Sequence, residues 1–397
     1  MSILSLLYTL KHATLKQSPT IDKNFFLLTI LYNINSIGSI LVLGFGIIFF
    51  YLNFYRSLWL AVMPFITIHF LYVLLMPIST VIIGKLGTKS SLIISSIAFT
   101  LSMLPLTYFG NTQQLPLLII WLFLYLIGKL FYHPCTIIIQ GKYTSHQHRG
   151  FAFSLKQISL ITIAILTPLV GGLISQSYGL TGLALLCGAC YLTTLIPVIY
   201  MDNLHFQVNL KKLFGLIKNP QIHKLAKINL LYELQNITYV LWPLFIFLII
   251  KENFTKLGIF FSLVAFVSII LIFLSGLIMD RQTNRINLMR YSFLGVAFAW
   301  ILKVFAQHPV ALAFSDMIHQ LFIRLSDNVH EVVNFDLLTD HLSSSSWDET
   351  LIIREVLWNL SIVFSYLITV LIITQLGFQS AFLFAALISL AFLLIKK

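Results

Sequence analysis

The amino-acid sequence is poor in charge. Of its 397 residues, only 10% are Asp, Glu, Lys or Arg, whereas a soluble domain carries about 25%. Hydrophobic residues make up 58% of the chain, and Phe alone occurs 34 times. The mean hydropathy of +0.93 therefore excludes an ordinary soluble globular protein and predicts a protein whose surface lies in lipid.

The chain also lacks the alternating pattern of a membrane β-barrel. Barrel strands show segments of roughly ten residues in which apolar and polar side chains alternate. Here the apolar runs are continuous and about 20 residues long, the length that a helix needs to cross a bilayer. The sequence thus predicts an all-α polytopic membrane protein with twelve transmembrane helices in two six-helix pseudo-repeats. The predicted spans, numbered one to twelve, cover about residues 25–50, 58–83, 90–109, 115–140, 152–176, 180–200, 223–250, 256–279, 287–306, 309–335, 350–373 and 376–396.

The chain has three cysteines and no nucleotide-binding motif. Both features limit the chemistry that the protein can perform. Cys187 and Cys190 lie within an apolar run, where small residues let helices pack closely, so we expect neither a redox motif nor a disulfide framework. The chain has no Gly-x-x-x-x-Gly-Lys-Ser/Thr sequence, which excludes a built-in ATPase of the P-loop type. Its 11 histidines form no recognised ligand motif, and we expect no metal site and no cofactor.

Basic residues are unevenly distributed among the predicted loops. Of the 25 Lys and Arg residues, 17 lie at the two termini or in every second loop, and only Arg56, Lys251 and Lys256 lie in the alternate loops. This positive-inside asymmetry predicts that both termini are cytoplasmic. It also explains the net charge of +12 without a nucleic-acid partner. No cleavable signal peptide is evident, and the short loops favour a bacterial inner membrane.

The longest connection, residues 201–222, divides the predicted spans into two sets of six. It carries Lys211, Lys212 and Lys218, which indicates a cytoplasmic linker. The predicted parts of the chain are a cytoplasmic N-terminal segment (1–24), an N-terminal six-helix half (25–200), the cytoplasmic linker (201–222) and a C-terminal six-helix half (223–397).

Two loops about half a chain apart repeat a pattern of glycine and charge. The loop after span eight carries Gly276, Asp280, Arg281 and Arg285, and the loop after span two carries Lys85, Gly87 and Lys89. The pattern resembles the Gly-x-Leu-x-Asp-Arg-x-Gly-Arg-Arg motif of the major facilitator superfamily. The resemblance implies parallel six-helix repeats and a cytoplasmic charge latch formed by these gating loops. Gly84 stands where the family has Asp.

Span five carries Pro168, Gly171 and Gly172 in the sequence Thr-Pro-Leu-Val-Gly-Gly. It is similar to the Gly-Pro-x-x-Gly-Gly antiporter motif of the same family, with Thr167 in place of the first glycine. The resemblance implies a kinked, closely packed helix and favours efflux. Ordinary packing of small residues between helices explains the same pattern, so the direction of transport stays open.

Span ten is the most heavily charged apolar run in the chain. At about 100° per residue, its polar side chains fall on one face roughly 140° wide. Ionised groups in hydrocarbon are costly and normally face a bundle interior or a watery path. The side chains on this face are Asp316, His319, Gln320, Arg324, Asp327, His330, Glu331 and Asn334.

Polar residues also line one face of spans one, four and seven, which the resemblance places around a central cavity together with span ten. Span four carries Lys129, His133, Thr136 and Gln140; span seven carries Asn229, Glu233 and Asn236; span one carries Tyr32, Asn35, Ser36 and Ser39. The predicted path for substrate and protons consists of Lys129, His133, Glu233, Asn236, Asp316, His319, Gln320, Arg324 and Asp327.

Within this path, Glu233 and Asp316 are the leading candidates for the proton carrier, because both lie away from the predicted interfaces. Lys129 is expected to pair with one of them across the cavity. Arg324 is expected to bind Asp327, three residues further along the helix, or an anion of the substrate. A purely structural alternative is that Arg324 and its acidic neighbours neutralise one another and simply allow the helix to exist.

These features predict a secondary active transporter, not an enzyme, that moves a small polar or charged solute by alternating access with proton coupling. The expected partners are the solute, protons or another coupling ion, and membrane lipid, and we expect a monomer. A lipid or lipid-linked-solute flippase on the same fold is one alternative, favoured by a lipid-open groove between spans two and eleven or five and eight. A membrane-embedded transferase and a non-transporting receptor are weaker alternatives.

Overall fold

The computed structural model describes residues 22–143, 149–279, 285–306, 308–339 and 347–394, and every regular element within them is a helix. In the first half, a π-helical segment (Val42–Gly46) joins α1 to α2. The helices here are α1 (Lys23–Leu41), α2 (Ile47–Asn53), α3 (Leu58–Leu86), α4 (Thr88–Thr112), α5 (Leu115–Tyr143), α6 (Arg149–Thr193) and α7 (Leu195–Ile199).

The rest of the described chain begins with a short helix inside the predicted linker. The helices are α8 (Leu210–Leu216), α9 (Pro220–Val240), α10 (Trp242–Ile249), α11 (Phe254–Met279), α12 (Arg285–Phe305), α13 (Pro309–Thr339), α14 (Trp347–Leu376) and α15 (Phe378–Ala391), followed by a 3₁₀ turn (Phe392–Leu394). Eight helical stretches of the described residues are long and apolar enough to cross a membrane. The predicted all-helical membrane fold is confirmed.

Caps and glycine turns explain where several helices begin. The side chain of Asp22 accepts a hydrogen bond from the backbone N–H of Asn24 at 2.7 Å, which satisfies one of the free donors at the start of α1. Gly87, with φ of +88°, makes the tight turn between α3 and α4. Gly179, with φ of +59°, breaks α6 between predicted spans five and six. Positive φ values of this kind favour glycine.

Two long helix pairs lie at the boundary between the predicted halves. The helix α3 packs against α14, and α6 packs against α11. These are the pairs of predicted spans (two with eleven, five with eight) at which an open groove would favour a lipid flippase, and in this structure both pairs are in contact.

The predicted small-residue segment of span five forms the α6–α11 contact. A Cβ atom on Gly172 would lie 2.5 Å from the backbone oxygen of Phe254 and 3.0 Å from the Cα atom of Gly258, and a Cβ atom on Gly258 would collide with the backbone oxygen of Pro168. A Cβ atom on Gly171 would instead collide with Leu41 of α1. Both glycines of the motif therefore permit close helix packing.

The halves also meet at both ends of the bundle. At the end away from the linker, Phe49 stacks on Phe254 with ring centroids 4.6 Å apart, and the exposed side chains of Arg56 and Glu252 form an ion pair at 3.0 Å. At the linker end, a second hydrophobic cluster joins α3, α5, α8, α9 and α14. Its buried members are Tyr72, Met76, Leu126, Leu130, Ile137, Ile138, Leu213, Ile222, Leu225, Leu351, Ile352 and Ile353.

Replacing Gly258 by Ala tests the α6–α11 contact. Because the added methyl group would collide with backbone, which cannot rotate away, we expect Gly258→Ala to destabilise the protein by about 1–3 kcal/mol. The measurement is thermal unfolding of the purified protein in detergent. Gly215→Ala in α8 is the matched control, since no atom lies within 4 Å of the added Cβ there. Equal melting temperatures for the two variants would contradict this account of the interface.

Candidate functional site

A polar bridge connects the two halves inside the bundle. The ammonium of Lys129 on α5 lies 2.8 Å from Nδ1 of His69 on α3, and the same ring nitrogen lies 2.8 Å from Oδ1 of Asn359 on α14. The amide nitrogen of Asn359 donates to the backbone oxygen of Glu355, so its oxygen is the atom that faces His69. A ring nitrogen either donates or accepts, so the protonation state of His69 decides which of the two contacts is favourable.

Apart from His69, the surroundings of Lys129 are apolar and aromatic, with carboxyl groups at a greater distance. Lys129 is 6% exposed, and its ammonium lies 4.9 Å from the ring centroid of Tyr72. The charges of Glu355 and Glu233 act on it electrostatically. Among the described residues, Lys129 thus hydrogen-bonds to His69 and not to Glu233 or Asp316, the partners that the sequence suggested.

Glu233 lies on α9 with 1% of its surface exposed. Its Oε2 atom accepts a hydrogen bond from Asn236 at the long distance of 3.4 Å. Its charge also acts on Tyr366 of α14. Glu233 thus lies in the predicted second half, and its charge acts through space on Lys129 in the first half.

Asp316 is held in a different way. Its carboxylate forms an ion pair at 2.7 Å with Lys303, and both side chains have no exposed surface. The Lys303 ammonium also lies 3.8 Å from the ring centroid of Trp242, 4.7 Å from that of Trp300 and 4.9 Å from that of Tyr239. The rings and the carboxylate together compensate the buried cation.

His319 lies beside this ion pair. Its ring stacks on Tyr239 and meets the edge of Trp300, each at a centroid distance of 4.8 Å. Within the described residues, neither of its ring nitrogens has a hydrogen-bond partner. His133 on α5 lies apart from this group, against the rings of Tyr72 and Tyr132.

A cavity of about 180 Å³ lies between helices of both halves. Its polar lining groups are Tyr239, Gln320 and Arg324, and the amide of Gln320 donates to the Tyr239 hydroxyl. The other lining residues are Ile40, Gly44, Phe45, Ala164, Pro168, Pro243, Leu257, Phe261 and Ala265. The residues that line this cavity come from predicted spans one, five, seven, eight and ten, and none comes from span four.

Arg324 forms the expected pair with Asp327, at 3.8 Å between Nη1 and Oδ2. Asp327 in turn accepts a hydrogen bond of 2.6 Å from the Tyr232 hydroxyl. A separation of 3.8 Å is longer than a direct hydrogen bond, and 35% of the Arg324 side chain is exposed. The guanidinium is thus a cation at the cavity wall that its neighbour holds only weakly.

The polar faces of predicted spans seven and ten meet near the linker end. The ring of Tyr232 stacks on His330 at 4.0 Å, and Trp358 of α14 packs against both rings. The amide of Asn334 donates to Asn229 at 3.2 Å. These contacts bind α9, α13 and α14 into one polar layer.

The structure describes some of the predicted gating-loop residues and not others. In the first-half loop, the Lys89 ammonium donates to the backbone oxygen of Ile199 at 2.5 Å, and Lys85 is exposed. Asp280 and Arg281 lie outside the described residues, and for Gly276 and Arg285 only their positions at the end of α11 and the start of α12 are described.

Sequence reasoning missed His69, Asn359 and the pairing role of Lys303. His69 lies in a span without Asp, Glu, Lys or Arg, and that isolation was the available signal. Asn359 gave no such signal, because its span also carries Arg354 and Glu355. Periodicity along one helix does not show which neighbouring helix a side chain meets.

Comparisons with known proteins agree with this architecture. The sequence profile of the Major Facilitator Superfamily matches residues 25–323. The crystal structure of the human organic anion transporter MFSD10 (TETRAN) is similar, with a TM-score of 0.70 and 12% identity over 96% of this chain and 100% of that chain. The crystal structure of the peptide transporter POT in complex with sulfate has a TM-score of 0.69 and 14% identity over 94% of this chain and 93% of that chain. Among curated protein sequences, no match was found.

Identities this low show a shared fold and no more, whereas the profile match extends over most of the chain. The profile match confirms the predicted family and the prediction of a transporter in place of an enzyme. The chain is a member of the major facilitator superfamily.

Proposed function

We propose that this protein is a secondary active transporter that moves a small organic solute with an anionic group, coupled to protons, by alternating access. The linker end, where basic residues are concentrated, lies on the cytoplasmic side together with both termini, in a bacterial inner membrane. The two six-helix halves are the moving bodies, and the monomer is the working unit.

The observation that carries the proposal is the Lys129–His69–Asn359 bridge. Lys129 and His69 belong to the first half and Asn359 to the second, so rocking of the halves must break the bridge. Because the favourable contact depends on the proton at His69, proton binding changes the free-energy difference between conformations. A ligand shifts a conformational equilibrium only through such a differential interaction.

Glu233 is the better of the two carboxyl candidates for the proton carrier. Asp316 is enclosed with Lys303 inside the second half, where rocking leaves the pair intact. Glu233 accepts only a long hydrogen bond from Asn236, and its charge attracts the Lys129 ammonium in the other half. Protonation of Glu233 removes that attraction, so its charge state and the position of the halves are linked.

The cavity supports an anionic solute with an apolar body. Arg324 supplies the positive charge, Gln320 and Tyr239 supply hydrogen-bonding groups, and the remaining wall is mainly apolar. Guanidinium groups bind carboxylates and related anions through paired donors. The volume of about 180 Å³ is below the roughly 300–1,000 Å³ of drug-sized sites, so the solute is small. The similar structures include an organic anion transporter and a peptide transporter with bound sulfate, which supports the same class.

The coupling proposal is tested by distances between the halves at different pH. Spin labels are placed at the exposed positions Gln114→Cys and Lys256→Cys, and Cys190→Ser removes the partly exposed native thiol. The distance between the labels measures the separation of the halves at the end away from the linker. Between about pH 5 and about pH 8, the range in which histidine and perturbed carboxyls titrate, we expect the populations of two distances to change. We expect Glu233→Gln to reduce this change, because the charge on that residue no longer responds to pH, and we expect the contribution of His69 to remain.

Asp316→Asn is the matched control, and we expect it to retain the pH response. If loss of this buried partner of Lys303 unfolds the protein, the neutral double variant Lys303→Met/Asp316→Asn takes its place, since removing both charges is better tolerated than removing one. A pH response of undiminished size in Glu233→Gln would show that Glu233 is not the coupling group.

The solute class is tested with benzenesulfonate, which stays anionic, and benzenesulfonamide, its neutral counterpart. We expect benzenesulfonate alone to raise the melting temperature, by a stabilisation of about 2.7 kcal/mol at 100 times its Kd. We expect Arg324→Gln to abolish the shift and Lys218→Gln, which removes an exposed charge on the linker, to preserve it. In proteoliposomes, we expect an imposed pH gradient to drive uptake of radiolabelled benzenesulfonate. Equal shifts with the two compounds, or no shift with either, would contradict an anion site at Arg324.

A further inference from the structure

The connection between the halves has the form of an extended strap. Residues 202–209, here named the linker strap, have no regular secondary structure. Leu204, Phe206 and Val208 are partly buried and pack on the hydrophobic clusters of the bundle, whereas the residues between them are exposed. Alternation of this kind is typical of an extended chain with one face on a surface.

The strap is hydrogen-bonded to the turn between α3 and α4. The backbone N–H of Thr88 donates to the Leu204 oxygen at 2.8 Å, and the Thr88 hydroxyl accepts from the Leu204 N–H at 3.1 Å. The Asn203 side chain accepts from the N–H of Lys89 at 2.9 Å and donates to the oxygen of Leu86 at 3.3 Å. These four bonds use both backbone and side-chain groups of the strap.

Two glycines make room for this contact. A Cβ atom on Gly84 would collide with the backbone oxygen of Phe206, and one on Gly87 would collide with the Asn203 side chain. Gly84 is the position at which the superfamily motif has Asp. The strap therefore occupies the space that an acidic side chain would need.

The other end of the strap is bound to the second half. The backbone N–H of Asn209 donates to the Glu349 carboxylate at 2.9 Å, and Glu349 lies in the first turn of α14 with 5% of its surface exposed. The Asn209 side chain also caps α8, and Leu213 of α8 is buried in the cluster that contains Leu351.

Five peptide units separate the anchor at Leu204 from the anchor at Asn209, so this part of the strap reaches at most about 17 Å. We propose that the linker strap is a latch that holds the linker end of the two halves closed, in place of an acidic residue at Gly84. Opening of this end requires the strap to leave the α3–α4 turn or Glu349. The latch thus sets the population of the conformation that is open at the linker end.

Distances between the halves at the linker end test this proposal. Spin labels at the exposed positions Lys23→Cys and Lys227→Cys, again with Cys190→Ser, lie on α1 and α9. In otherwise unchanged protein we expect a predominantly short distance. Loss of the Asn203 bonds in Asn203→Ala should raise the ratio of long to short distances several-fold, up to about tenfold, because each lost hydrogen bond weakens the closed state modestly.

Three further variants test the latch with the same distance measurement. Glu349→Ala, which removes the second anchor, should have the same effect as Asn203→Ala. Gly84→Ala should also raise the ratio of long to short distances, because its Cβ atom would collide with the backbone oxygen of Phe206. Gln207→Ala, an exposed change on the same strap, should leave the distribution unchanged, and melting temperatures identify any variant that fails to fold. Unchanged distances in Asn203→Ala and Glu349→Ala, or a shorter distance in Gly84→Ala, would overturn the latch.

Discussion

The cost of removing a charged side chain from water governs the polar residues inside this helix bundle. Two buried lysines are stabilised against this cost in different ways. Lys303 is enclosed with the Asp316 carboxylate and three aromatic rings. Lys129 contacts His69 in its own half, and His69 contacts Asn359 in the other half. The first arrangement is complete within one half, whereas the second depends on the relative position of both.

This difference separates charge that is compensated within one half from charge whose contacts depend on both halves. The helices α12 and α13 hold Lys303 and Asp316 against each other, and Tyr239 presents its ring to that pair and lines the cavity. The ion pair thereby supports the cavity wall through Tyr239 and is not itself part of the cavity lining. At the interface between the halves, the contacts of His69 change with its protonation, and Glu233 adds a charge that acts across the same boundary.

Glycines allow close backbone contact at two places that hold the bundle together. Gly172 and Gly258 let α6 and α11 approach closely, and Gly84 and Gly87 admit the strap to the α3–α4 turn. The two ends of the bundle are closed by different chemistry. Aromatic stacking and an exposed ion pair join the halves at one end, and the connecting chain itself ties them at the other.

The sequence by itself determined the membrane class, the helices, the polar face of span ten and the Arg324–Asp327 pair, because hydropathy, helical period and i,i+3 spacing are local properties. Only the tertiary structure decided that Lys129 meets His69 and that Asp316 meets Lys303. Such pairs depend on the rotation of each helix and on the identity of its neighbours, which local periodicity does not encode. The same holds for Gly84, whose missing carboxylate is explained by a segment that lies more than a hundred residues away along the chain.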